Sequence, residues 1–246
     1  MEKFIAKSPV SQQIVKSVKL SADLPVNTLI YGQIGVGKKL LAKEIVPNAF
    51  MINGKDLEKL IIAKQIDLEI YPVIVVFNIN GVINLEEFFA QLKNIKVVAT
   101  CIDKNDKLSQ FFAIKVEIPP LEERLEDLEE LIDIYKKEAK SIYNVNVSVK
   151  DIEIDLSGNG ITLKQSIYKS ILLHSISTKD MMQTMEIYLT KKLKDGKTYR
   201  DLLEIFEMPL LKAAKKVYKS QLQMADNLEI NRITLRKKIH QYFGEL

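Results

Sequence analysis

Two groups of residues have the types and the spacing to do chemistry. The first is Gly32-Gln33-Ile34-Gly35-Val36-Gly37-Lys38-Lys39, set directly after the apolar run Leu29-Ile30-Tyr31. Glycines at this spacing let backbone N–H groups turn inward toward phosphate, and Lys38 reaches the β and γ phosphates of a nucleotide. The strict pattern places Ser or Thr next, to hold magnesium, and Lys39 stands there instead. A glycine-rich strand-to-helix turn without a ligand is the plainer alternative; the strand–loop–helix order favours nucleotide binding. The second group is the stretch Glu229–Tyr242, a short turn followed by one helix. Ile230, Ile233, Leu235 and Ile239 are expected to hold that helix to the protein, while Arg232, Arg236, Lys237 and Lys238 crowd its other side. Such a helix suits the major groove of duplex DNA. Asn231, Arg232, Thr234 and Arg236 are candidates for base or near-base contacts. Lys237 and Lys238 are candidates for phosphate contacts, which position without specifying. A solvated charged face is the bland alternative.

Hydrolysis needs more than a phosphate loop. It calls for an acidic pair at the end of a second strand and an arginine for the developing charge. The candidate strand ends at Asn78-Ile79, and no arginine precedes Arg124. Lysine lacks the planar fork that would replace it fully. These residues lead to the expectation that the chain is not an enzyme.

The elements that must position these groups follow from periodicity. Strands are expected at 27–31, 73–77, 96–100 and 114–118, the first three as nearly continuous apolar runs typical of a buried parallel sheet. Helical patterns sit between them, at about 39–45 and 85–92. Pro119-Pro120 stops the last strand, and helical spacing then dominates from Leu121. The predicted fold class is α/β: a P-loop parallel-sheet domain over 1–120, a helical lid over 121–193, and a C-terminal helical domain over 198–246. Lys194–Lys197 is the linker candidate. Ser220 is placed to cap the first of the two last helices, with Leu222, Ala225 and Leu228 turned inward. Leu202, Leu203, Ile205, Phe206, Leu210 and Leu211 furnish an apolar face, either for a dimer or for packing onto the lid.

Charge agrees with this division. The chain of 246 residues has a net charge of +4, but 13 Lys/Arg against 7 Asp/Glu fall between Lys191 and Leu246. The basic excess lies in the tail, as for a DNA-binding end. One cysteine, Cys101, allows no internal disulfide and fits a reducing cytoplasm. Charges in Met1–Lys7 argue against a signal peptide, and no apolar run approaches the ~20 residues of a membrane helix. Two histidines and one cysteine make no metal set.

With these residues in view, the chain resembles the NtrC-type sigma-54-dependent activators, which join an AAA+ ATPase domain to a Fis-like helix-turn-helix. The resemblance rests on Gly32–Lys38, after which the family often carries neither Ser nor Thr, so that Lys39 is a lesser departure; on Ile118-Pro119-Pro120-Leu121-Glu122-Glu123-Arg124 with Glu126-Asp127; on Gly158-Asn159-Gly160-Ile161-Thr162-Leu163-Lys164-Gln165; and on Pro209-Leu210-Leu211 with Ile230–Lys238. It implies an AAA+ scaffold with a Fis-type DNA-binding tail, ATP or ADP as ligand with magnesium left open, and a homodimer on double-stranded DNA. The departures are as specific. The family's Walker B Asp-Glu falls on Asn78-Ile79, its sensor arginine on Ile161, and its arginine fingers within Asp103–Ala113, which holds no arginine. The sigma-54-contacting loop and an N-terminal receiver domain are not matched. The expectation is a cytoplasmic, sequence-specific DNA-binding regulator on a degenerate AAA+ scaffold that binds nucleotide without hydrolysing it and does not engage sigma-54. An active ATPase with unusual catalytic groups, or an inactive partner subunit of an NtrC-type ATPase, are the alternatives.

Overall fold

The apolar runs form a single five-stranded sheet in the computed structural model, which describes residues 3–144 and 152–244. After helix α1 (Pro9–Ala22) come β1 (Thr28–Tyr31), α2 (Lys38–Ile45), β2 (Phe50–Asn53), α3 (Gly54–Ile62), β3 (Val73–Phe77), α4 (Leu85–Gln91), β4 (Lys96–Cys101), α5 (Asp106–Ser109) and β5 (Ile114–Glu117). Every pairing is parallel, in the order β2-β3-β4-β1-β5. Parallel strands need crossovers, and helices supply them on both faces. This is why β1, β3 and β4 read as unbroken apolar runs: Leu29, Ile30, Ile74, Val75, Val76, Val97, Val98 and Ala99 are all buried.

Successive side chains of each strand feed two separate cores. Leu29, Ile74, Val76 and Val97 pack with Phe88, Phe89 and Phe112 on one face. Ile30, Val75, Val98 and Val116 pack with Ile14, Val18 and Leu41 on the other. Truncating any of these buried aliphatics to Ala costs ~2–5 kcal/mol, because a close-packed interior relaxes only partly around the cavity.

After the Pro119-Pro120 stop, α6 (Leu125–Tyr143) and α7 (Gly160–Ser175) form a helical pair around Leu121, Ala139, Leu163, Ile167 and Ile171. α8 (Thr178–Lys194), α9 (Tyr199–Val217), α10 (Gln221–Asn227) and α11 (Arg232–Phe243) follow. The chain divides into two compact units at Ser175 and Ile176, so α8 groups with the C-terminal helices, short of the 193 at which the sequence pattern drew the lid's end. α8 buries none of its residues, whereas α9, α10 and α11 share a small core of Leu211, Ala214, Met224, Ala225, Leu235 and Ile239. Among the described residues, no helix is long and apolar enough to cross a membrane.

Candidate functional site

The loop after β1 turns sharply because two glycines hold left-handed backbone, Gly35 at φ 81° and Gly37 at φ 102°. Gly37 is also the N-cap of α2, whose first residue is Lys38. The free N–H groups of that helix end therefore open where the loop bends, a setting suited to phosphate. Lys38 folds back over the loop and donates from Nζ to the carbonyls of Gly32 (2.5 Å) and Gln33 (2.6 Å). Burial lowers its pKa, an effect opposed by electrostatic coupling to Cys101 and Asp103 nearby.

A cleft of about 770 Å³ lies beside the loop, at the carboxyl ends of the strands where α/β sheets bind ligands. Ile34, Gly35, Gly37, Lys38 and Lys39 line it from the loop, Asn78, Thr100 and Ile102 from the sheet, and Tyr135, Ile161 and Lys164 from the helical pair. Of the remaining predicted loop residues, Gln33 is exposed and Val36 is buried beneath the loop. Lys39 is exposed, with its ammonium 4.7 Å from the Phe77 ring centroid. A larger cleft of about 820 Å³ opens near Asn27 and Lys96, where Lys96 is engaged by the Ser21 and Ala22 carbonyls.

The helical pair is stitched to the loop by groups that the sequence reading matched without assigning a role. Asn159, buried and at φ 52°, donates from Nδ2 to Gln33 Oε1 (3.1 Å) and the Ile34 carbonyl (3.0 Å), and accepts from the Leu121 N–H at 2.8 Å. The Gly160 N–H donates to the Gly35 carbonyl at 3.1 Å. From the other side, buried Arg124 donates to the Val36 carbonyl at 3.0 Å and pairs with buried Asp127 at 3.3 Å. The two charges lie side by side on one helical turn at i and i+3, a spacing readable in the sequence. Burial lowers the Arg124 pKa, and Asp127 counters it. Asn78 follows β3 in left-handed backbone, and its N–H donates to Thr100 Oγ1 at 3.3 Å. Ile79 is fully buried among the sheet's aromatic core, so that position does not face the cleft at all.

The donor set fits the phosphates of a nucleotide: left-handed loop backbone, a helix N-terminus and Lys38. It does not fit magnesium. Among the described residues no carboxylate lines the cleft, and Lys39 occupies the position of the hydroxyl that would take the metal.

In the C-terminal unit, Ser220 caps α10 by accepting from the Gln223 N–H. Glu229 forms the turn at φ 53°. Asn231 caps α11 by accepting from the Ile233 N–H at 2.9 Å. Arg232, Thr234, Arg236 and Lys237 are exposed along α11. Lys238 is placed differently: its Nζ pairs with Glu207 of α9 at 2.5 Å, and Tyr242 donates to the same carboxylate at 2.7 Å. Two expected inward residues are corrected. Ile233 is 68% exposed, because α11 buries Leu235 and Ile239 and turns Ile233 to the opposite side. Leu222 is 45% exposed, and Met224 takes the inward place beside Ala225. Of the expected apolar face of α9, Leu211 belongs to the unit's core and Phe206 is exposed, while Leu202, Leu203, Ile205 and Leu210 are half-buried.

No family model matches the chain, and no curated protein matches it in sequence. Solved structures do resemble it. NtrX from Brucella abortus in complex with ATP superposes with a TM-score of 0.55 at 14% identity, over 99% of this chain and 70% of that one. The same protein in complex with ADP gives 0.52 at 13%, over 98% and 69%. Domain III of the replication initiation protein DnaA from Thermotoga maritima gives 0.48 at 16%, over 75% and 95%. The likeness to NtrX is one of fold: a parallel α/β sheet carrying a glycine-rich loop after its first strand, followed by a helical pair. The expectation that the chain is not an enzyme is thereby corrected. NtrX, which shares this fold, was solved with ATP and with ADP. Side chains missing from one strand end and one loop do not decide catalysis against that likeness.

Proposed function

We propose that the chain is a DNA-binding transcriptional regulator in which a nucleotide-binding AAA+ unit is joined to a Fis-type helix-turn-helix formed by α10 and α11. One observation carries the DNA reading. α11 is held by Leu235 and Ile239 while Arg232, Arg236, Lys237 and Thr234 project into solvent behind a tight turn. A helix with that polarity, entering by its N-terminal end, reads base edges in the major groove. Asn231, Arg232, Thr234 and Arg236 are the base-reading candidates and Lys237 the phosphate contact. Lys238, tied to Glu207, keeps α11 at its angle to α9.

The same helices support pairing. Tyr199, Leu202 and Phe206 lie at i, i+3 and i+7 of α9, away from the Glu207, Leu211 and Ala214 face that meets α10 and α11. A homodimer through this face would place two α11 helices about one DNA turn apart. In the AAA+ unit, Gly32–Lys39 binds ATP or ADP, with turnover to be measured on the same preparation.

Fluorescence anisotropy of labelled duplexes across a salt series, with and without ATP, tests the proposal. Binding should weaken steeply with salt, and removal of Arg236 and Lys237 together should weaken it and flatten its salt dependence. Unchanged binding in that double variant would sink the assignment of α11.

A further inference from the structure

We infer that the cleft takes a nucleotide polyphosphate whose charge is met by lysine ammonium groups in place of a divalent cation, with Lys39 standing where a metal-binding hydroxyl would stand. The inference rests on the nucleotide-binding reading of the loop and refines it. Lys38, Lys39 and Lys164 all line this one cleft, the first two from the start of α2 and the third from α7, and among the described residues no carboxylate lines it with them.

Magnesium in phosphate sites is held by one or two carboxylates together with phosphate oxygens and water. The oxygen donors on the cleft's side chains are neutral: Asn78, Thr100, Tyr135 and Gln165. Thr100 is engaged, since its Oγ1 accepts the Asn78 N–H. Asp103 is near enough for its charge to act on Lys38. That carboxylate opposes a lysine, which reduces its value as a metal ligand.

The cations are also placed. Lys39 lies over Phe77, the last residue of β3, next to the Asn78 that stands in the position of the metal-binding acid. The ring face favours a cation there, and so would a phosphate oxygen. Lys164 is paired to Glu138 at 3.3 Å and lies over the rings of Tyr135 and Tyr168, which fixes it on the far wall of the cleft. Lys38 and Lys39 bring two ammonium groups to the loop side of the cleft, and Lys164, its charge shared with Glu138, brings a third donor from the far wall. The loop lysine shares its phosphates with magnesium in the strict pattern, so the added cation that stands against a metal here is Lys39.

The test is binding of fluorescent ADP and ATP analogues to the full chain, titrated once in EDTA and once in magnesium. The expected result is a Kd that agrees between the two buffers within about threefold. Lys39→Thr restores the hydroxyl and removes a charge; its binding should fall by at least about tenfold in EDTA and recover when magnesium is added. Lys39→Gln removes the charge without offering a metal ligand, and should weaken binding in both buffers alike. Thermal unfolding of each variant checks that the chain is folded. Wild-type binding that is lost in EDTA and restored by magnesium would overturn the inference while leaving the loop a nucleotide site. Absence of binding in both buffers would overturn the nucleotide reading itself, and this inference with it.

Discussion

Asp127 accepts from the N–H groups of Lys7 and Ser8, from the hydroxyls of Ser8 and Ser11, and from Arg124 Nη1. It is fully buried, as is the arginine, and the pair ties the start of α1 to the start of α6 and, through Val36, to the phosphate loop. Removing one partner leaves the other charged and dry, so Asp127→Ala should destabilise the N-terminal unit by ~3–5 kcal/mol in urea unfolding. The effect of Lys38→Met should be the reverse in kind: nucleotide binding lost in the same anisotropy format, with little change in unfolding midpoint. Cys101 gives a pH-dependent prediction. Burial pushes its thiol up to about 11 from the usual 9.0. The folded state therefore holds that proton where the unfolded chain releases it, so this group stabilises fully below about pH 9 and its contribution is lost as pH rises toward 11. Native protein at pH 8 should be inert to a thiol reagent, and urea-unfolded protein should react at once. The site was partly legible at this scale. Gly32–Lys39 announced its loop by spacing alone. The Arg124–Asp127 pair was noticed only as part of a longer match, because a charged pair three residues apart looks in sequence like any solvated helix face.

Glu229 turns from α10 to α11 in left-handed backbone, where a side chain crowds its own carbonyl and glycine does not. Glu229→Gly should stabilise the C-terminal unit by about 1 kcal/mol, read as a shift in its unfolding midpoint. Were the midpoint to fall, the turn would owe more to its carboxylate than to its backbone. The strands β1, β3 and β4 were readable because buried parallel strands leave apolar runs, and β5 because Ile114-Lys115-Val116-Glu117 alternates. β2 was not: Phe50–Asn53 is a four-residue edge strand, half-buried throughout, and its apolar run Ala49–Ile52 is too short to tell strand from helix by periodicity. Ile233 was misread because apolar type outweighed angle. Leu235 and Ile239 are four apart and share a face, whereas Ile233 precedes Leu235 by two residues, about 200° around the helix. Its exposure among Arg232, Thr234 and Arg236 puts an isoleucine on the surface proposed to meet DNA, where apolar groups contact thymine methyls.

At the scale of the whole molecule the chain is two compact units that meet in sequence at Ser175 and Ile176. The basic excess of the tail lies in the second and the phosphate loop in the first. A chain ending at Ser175 should keep nucleotide binding and lose DNA binding, and both are read by anisotropy. Loss of both would show that the units do not fold independently. The boundary was not legible in the periodicity of α8, whose spacing passes for a lid helix; what distinguishes it is that it buries nothing. The docking of the Gly158–Gly160 turn on the loop has a consequence for how such a motif ages. A Cβ on Gly35 would lie 2.1 Å from the Gly158 carbonyl oxygen, and one on Gly32 would lie 2.4 Å from that of Ile118. Both glycines are demanded by the chain's own packing, whether or not a phosphate ever visits. Selection for a stable fold would thus preserve the spelling of the loop through any change of ligand. Exposed Lys39 is under no such steric restraint, so among descendants of this fold its identity, and not the glycines, would be the historical record of what the loop has held.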